Sequence, residues 1–132
     1  MSQIKVFYQG NLMTRCVHVE SGSQVVTHPL KEAFSPLDLF AASLGSCVLT
    51  VMGLLAEKLG VDLSGAQVLV LKEMSKMPPK RIAALTVQCK IPQRFSREIE
   101  QKLEEAGIGC PVHHSLHPEM KVEFSFQWGA LS

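Results

Sequence analysis

The sequence predicts an α+β fold, and three observations predict it. The elements run βββ-α-ββ-α-(short α)-β with no internal repeat, which groups strands and helices instead of alternating them as a doubly wound parallel sheet does. One stretch, Ser35 to Gly60, carries matched start and stop signals around a long apolar helix. Its 132 residues, 46% of them hydrophobic, are enough for one core, so residues 1–132 read as a single domain.

Ile4, Val6 and Tyr8 alternate with Lys5, Phe7 and Gln9 in a first strand that stops at Gly10-Asn11. Met13 to Glu20 alternates again, with Arg15, Val17 and Val19 on one side and Cys16, His18 and Glu20 on the other. Ser21-Gly22-Ser23 turns the chain into a third strand, Gln24 to His28. The first third of the chain is thus an antiparallel meander, followed by a short loop, His28 to Phe34.

Ser35 is placed as an N-cap, Pro36 suits the first helical position, and Asp38 can return a capping-box bond. Gly60 supplies the left-handed stop. Leu37, Phe40, Leu44, Val48, Val51 and Leu55 form a bulky apolar stripe, and Ser43, Ser46, Cys47, Thr50 and Gly53 a second stripe of small groups. Such a helix is expected to be buried on both faces. Leu39 to Ala56 carries no formal charge and reaches the lower length of a membrane span, but its small polar residues favour a buried core helix.

Beyond Gly60, Gln67 to Met74 and Arg81 to Ile91 read as paired strands around the turn Met77-Pro78-Pro79-Lys80. Ser96 caps a second, amphipathic helix that Gly107 is expected to stop, with its charges on a solvated face. Cys110-Pro111 opens a short helical turn through Leu116. His117-Pro118 breaks it, and Met120 to Trp128 is the last strand.

A formal charge of +1, one Trp, one Tyr and no basic run exclude a bulk pull on nucleic acid or anionic lipid. The first residues lack the apolar core of a signal peptide, so a cytoplasmic protein is expected, and its four cysteines should be free, metal-bound or catalytic. No phosphate loop, nucleophile elbow or paired catalytic carboxylates occur, and no cofactor is implied.

Two cysteines stand out. Cys47 lies mid-helix among small groups, where a second backbone or a small ligand can come close; its plain reading is an inert core thiol. Cys110 precedes Pro111 at a helix start, a setting expected to favour a thiolate. His113, His114 and His117 follow it at helical offsets and are zinc-type ligands, although Pro118 turns His117 aside. An exposed polar turn without metal is the preferred reading there. Cys16 and Cys89 fall in strands and read as structural.

Taken together, Phe34-Ser35-Pro36-Leu37-Asp38-Leu39-Phe40-Ala41-Ala42-Ser43-Leu44-Gly45-Ser46-Cys47 and Cys110-Pro111-Val112-His113-His114-Ser115-Leu116 closely resemble the OsmC/Ohr family of thiol peroxidases. Glu73-Met74-Ser75 with Pro78-Pro79-Lys80-Arg81-Ile82, and the closing strand Val122 to Trp128, resemble it as well.

The resemblance implies antiparallel sheets wrapped around long central helices in an intertwined homodimer, with sites at the subunit interface. It implies Cys47 as the peroxidatic thiol, Cys110 as the resolving thiol, small organic hydroperoxides as substrates and an external dithiol as reductant. An Arg of the N-terminal sheet and a Glu after the helical Pro complete the family pattern. The Arg role falls to Arg15. Leu37 occupies the Glu position, and Asp38 lies one residue on, about 100° around the helix. The departure at Leu37 favours the alternative of a non-catalytic redox-sensing or ligand-binding dimer; a Cys/His metal-binding protein is a third reading.

Overall fold

The computed structural model describes residues 1–30 and 33–130. Among the described residues nine elements follow in order: β1 (Ile4–Gly10), β2 (Met13–His18), β3 (Gln24–Thr27), α1 (Pro36–Leu59), β4 (Gln67–Met74), β5 (Ile82–Ile91), α2 (Arg97–Ile108), α3 (Pro111–His114) and β6 (Lys121–Trp128). The described residues thus form an α+β protein with two three-stranded sheets, β1-β2-β3 and β4-β5-β6. The contacts divide the chain into two compact units, Met1–Phe40 and Ala41–Ser132, the division falling inside α1.

In the first unit β2 is central and antiparallel to both neighbours. β2 ends at His18, two residues earlier than its alternation suggests, because His18 turns into Ser21, its ring Nδ1 lying 2.6 Å from Ser21 Oγ and its carbonyl accepting Gly22 N–H at 2.8 Å. β3 ends at Thr27, and His28 instead anchors the loop that follows. Its Nδ1 accepts Leu30 N–H at 3.1 Å and its Nε2 meets the Asn11 carbonyl at 3.1 Å, an arrangement that places the ring proton on Nε2. Lys31 and Glu32 of that loop lie outside the described residues.

Ser35 caps α1 and Pro36 opens it, as their positions predict. Ser35 Oγ accepts Asp38 N–H at 3.0 Å and the Ser35 carbonyl accepts Leu39 N–H at 2.9 Å. Gly60, at φ 71°, closes the other end, with Val61 N–H on the Ala56 carbonyl at 3.0 Å. By length and composition α1 could cross a membrane, with mean hydropathy 2.0, yet it builds the core of the second unit.

The face that does so differs from the expected stripe. Ala41, Leu44, Gly45, Val48, Met52 and Ala56 are the buried set, while Leu37 and Phe40 are exposed. The expectation of burial on both sides also fails in this chain: Ser43, Ser46 and Thr50 are exposed, and Cys47 and Gly53 are half-buried.

In the second unit β5 is central, and Leu85, Val87, Cys89 and Ile91 point one way into the core against Leu44, Val48 and Met52. β4 pairs antiparallel with β5 as expected. The sheet is mixed, however, and not antiparallel throughout, because β6 runs parallel to β5 from Ala84↔Lys121 to Ile91↔Trp128. A parallel partner needs a long crossover, and α2 and α3 supply it.

α2 begins at the Ser96 cap, whose Oγ accepts Ile99 N–H at 3.3 Å. It runs past Gly107 to Ile108, with Gly109 as the cap. Its charges are not all solvated: Glu100 is 1% exposed, and its carboxylate accepts Phe95 N–H at 3.0 Å and faces Arg94 at 3.5 Å. Glu104 takes Arg97 Nη1 at 2.9 Å and the indole Nε1 of Trp128 at 2.8 Å. These bonds tie α2 to the end of β6.

Two glycines set how closely the elements pack. A Cβ built on Gly45 would meet Val70 of β4 at 3.0 Å, and one on Gly107 would meet Met52 and Val48 of α1 at 3.1 Å.

Candidate functional site

Cys47 and Cys110 meet inside the second unit. α1 carries Cys47 two residues after the close approach at Gly45, and α2 delivers Cys110 three residues after the one at Gly107. Cys110 is the N-cap of α3, with extended backbone at φ −68° and ψ 150°, and its Sγ accepts His113 N–H at 3.4 Å. Its thiol neighbours the Cys47 side chain, close enough for the two to interact, and both cysteines are free thiols.

The two sulfurs sit in unlike surroundings. Cys110 is 0% exposed, whereas Cys47 is half-buried. Burial pushes the Cys110 thiol above its ordinary pKa, the His113 amide only partly opposes this, and neighbouring Cys47 pushes it further up. The expected thiolate-favouring helix start is therefore overturned: desolvation outweighs the cap.

His113 braces this corner from both sides. Its Nδ1 lies 2.5 Å from the Ile108 carbonyl, which makes Nδ1–H the donor, and its ring packs edge-on to Phe124 with centroids 5.0 Å apart. α3 ends at His114, so the four-residue row Cys110, His113, His114 and His117 does not continue on one helix. Among the described residues no group of three or more His, Cys, Asp or Glu side chains is gathered to hold a metal ion.

Arg15 and Asp38 belong to the first unit. Arg15 pairs with Phe7 and Val26 in the sheet, and its guanidinium lies 4.6 Å from the centre of the Phe7 ring, a cation–π contact. Asp38 stands in the first turn of α1, its amide on Ser35 Oγ. Cys16 is half-buried in β2. Cys89 is buried in β5, and burial, with a contribution from Glu104, raises its pKa to about 11, consistent with an inert structural thiol.

Reasoning from the sequence missed His113 as a brace and the two glycine contacts. The signal for the first was present, since a residue three beyond an N-cap is the one whose amide the cap accepts.

An α+β frame that carries one cysteine on a long core helix and seats a second, buried one against it defines a paired-thiol protein. A family model described as OsmC-like protein matches residues 29–125, and the chain belongs to that family. It is similar to a candidate osmotic stress induced and detoxification response protein from Psychrobacter arcticus 273-4, at 32% identity over 96% of each chain with a TM-score of 0.90. The organic hydroperoxide resistance protein OsmC of Legionella pneumophila shares the fold at 16% identity, 96% of each chain and a TM-score of 0.73. So does the organic hydroperoxide resistance protein OhrB of Bacillus subtilis, at 14% identity, 96% of this chain, 98% of its own and a TM-score of 0.69. A search of curated proteins finds no significant match.

Proposed function

We propose that this protein is a thiol-dependent peroxidase that reduces small organic hydroperoxides. The observation that carries the reading is the meeting of the Cys110 thiol with the Cys47 side chain, two residues remote in sequence. The family and the hydroperoxide-resistance names of the Legionella and Bacillus proteins support it.

Cys47, as the thiolate, attacks the terminal peroxide oxygen. The O–O bond breaks, the alkoxide leaves as alcohol after taking a proton, and Cys47 becomes a sulfenic acid. The Cys110 sulfur then attacks the Cys47 sulfur, hydroxide leaves and is protonated to water, and a Cys47–Cys110 disulfide forms. An external dithiol returns both thiols to the start. The small groups beside Cys47, Ser43 and Ser46 among them, leave room for the peroxide.

Arg15 is proposed as the cation that orients the thiolate and the peroxide, and Asp38 as the nearest carboxylate in sequence to the family's Glu position. A homodimer is proposed as the working form. The first sheet argues for it: Ile4 (68% exposed), Val6 (59%) and Tyr8 (69%) leave one face of β1 apolar and uncovered. The cytoplasm is the proposed compartment, and 1–132 the proposed domain.

Turnover of cumene hydroperoxide with a dithiol tests this directly. Wild type consumes peroxide catalytically and Cys47→Ser does not; equal, slow consumption by both overturns the reading. Arg15→Ala lowers kcat/KM about tenfold to a hundredfold if the cation acts on the reacting atoms; an unchanged value removes Arg15 from the site.

Leu37 favours a second reading, a redox sensor that forms the same disulfide without recycling. Mass spectrometry after mild peroxide separates the two, because a sensor oxidises once and stays oxidised in the presence of dithiol.

A further inference from the structure

We propose that the reductant acts on one sulfur only: the incoming thiolate attacks Cys47 of the Cys47–Cys110 disulfide, and Cys110 is the leaving thiol. This inference deepens the peroxidase reading and rests on the same cysteine pair. It starts from the unequal exposure of the two partners. Cys110 has no accessible surface, while Cys47 is half-buried on a helix face where Ser43, Ser46 and Thr50 are exposed.

Thiol–disulfide exchange needs the attacking sulfur to reach one member of the pair, and its rate depends on which sulfur can be approached. Any opening that admits a hydroperoxide to Cys47 also admits a slender thiol there. Cys110 is enclosed by the core among the described residues and carries the His113 amide on its sulfur.

The electrons balance. The thiolate of an external dithiol forms a new S–S bond to Cys47, the Cys47–Cys110 bond breaks, and its electron pair leaves on Cys110 Sγ. That sulfur accepts the His113 N–H already directed at it and then takes up a proton. The second thiol of the reductant, as thiolate, attacks its own sulfur attached to Cys47, which releases the Cys47 thiolate and a reductant disulfide. The protein gains two electrons and the dithiol loses two.

One effect opposes this order. Burial raises the pKa of Cys110, and a thiol of high pKa is a slower leaving group. Access decides against that cost, since a sulfur that cannot be approached is not attacked at all. The His113 amide lowers the cost further by stabilising the departing charge.

The experiment uses the full-length protein oxidised in two ways, by one equivalent of cumene hydroperoxide and, separately, by diamide. Each sample receives a small monothiol, 2-mercaptoethanesulfonate, and is quenched with acid within the first tenth of the reaction. Cys47 and Cys110 fall in different tryptic peptides, ending at Lys58 and Lys121, so mass spectrometry locates the adduct. The expected result is an adduct on Cys47 at least tenfold in excess of that on Cys110.

An adduct mainly on Cys110, or an even split, overturns the proposal. So does failure of diamide to make the Cys47–Cys110 disulfide. If diamide makes the disulfide and the hydroperoxide does not, the peroxidase reading falls, and the diamide sample alone still decides which sulfur is attacked.

Discussion

The two sheets have equal strand number and opposite fates. In β4-β5-β6 the central strand sends Leu85, Val87, Cys89 and Ile91 into a core completed by α1. In β1-β2-β3 the burial of β1 is almost nil, and its apolar residues stand in the open although they alternate as regularly. Alternation therefore states that a strand has two faces, and not that either face is covered by its own chain. The second sheet buries its central strand, although Leu69 and Leu71 of β4 stay exposed. The first leaves Ile4, Val6 and Tyr8 exposed along one face of β1.

This contrast can be broken at its strongest point. Leu85→Ala in β5 removes a fully buried side chain and is expected to destabilise the protein by about 2–5 kcal/mol in urea unfolding, whereas Val6→Ala in β1 costs under about 0.5 kcal/mol when the chain is dilute. Equal losses would mean that the two sheets are buried alike.

A charge on the open sheet sharpens it. Val6→Lys is expected to leave the circular dichroism unchanged and to weaken self-association about tenfold or more, roughly 1.4 kcal/mol, in sedimentation equilibrium. Unaltered association would remove β1 from the interface.

Local signals in the second unit should count individually and modestly. Ser96→Ala removes the acceptor for Ile99 N–H and is expected to cost about 1 kcal/mol, with Ser96→Asp restoring most of it. No loss would mean that the tie between α2 and β6 fixes the helix start unaided.

Cys89 adds a pH dependence that shows only at alkaline pH. Its folded pKa of about 11 lies above the unfolded value, so the unfolded chain ionises first. Stability from this group is full below the unfolded pKa and is lost as pH rises towards 11. Cys89→Ala should flatten that part of the stability profile relative to wild type, and parallel profiles would refute the assignment.

Much of this was legible in the sequence because it is local. Ser35, Pro36 and Gly60 mark the ends of α1 through bonds within a few residues, and Ser96 does the same for α2. The pairing of Cys47 with Cys110 was legible only through resemblance, since no local rule joins residues so far apart. The parallel partnership of β5 and β6 was not legible at all, because strand periodicity is the same for either direction.

Electrostatics misled for one consistent reason. The sequence pattern puts Glu100 on a solvated face, yet it is buried; the helix start favours a thiolate at Cys110, yet its pKa is pushed the other way. Both errors come from desolvation, which depends on what the rest of the chain places overhead and leaves no trace in the neighbouring residues.

Gly45 and Gly107 act as the spacers of an instrument. Each stands within one helical turn of a sulfur, and at each a single added methyl would collide with Val70 or with Met52 and Val48. Bare backbone thus sets how closely β4 approaches α1 at Gly45 and how closely α2 approaches α1 at Gly107. A change of one carbon atom at Gly107 would press on the helix that carries Cys47 without altering a single group that takes part in the chemistry.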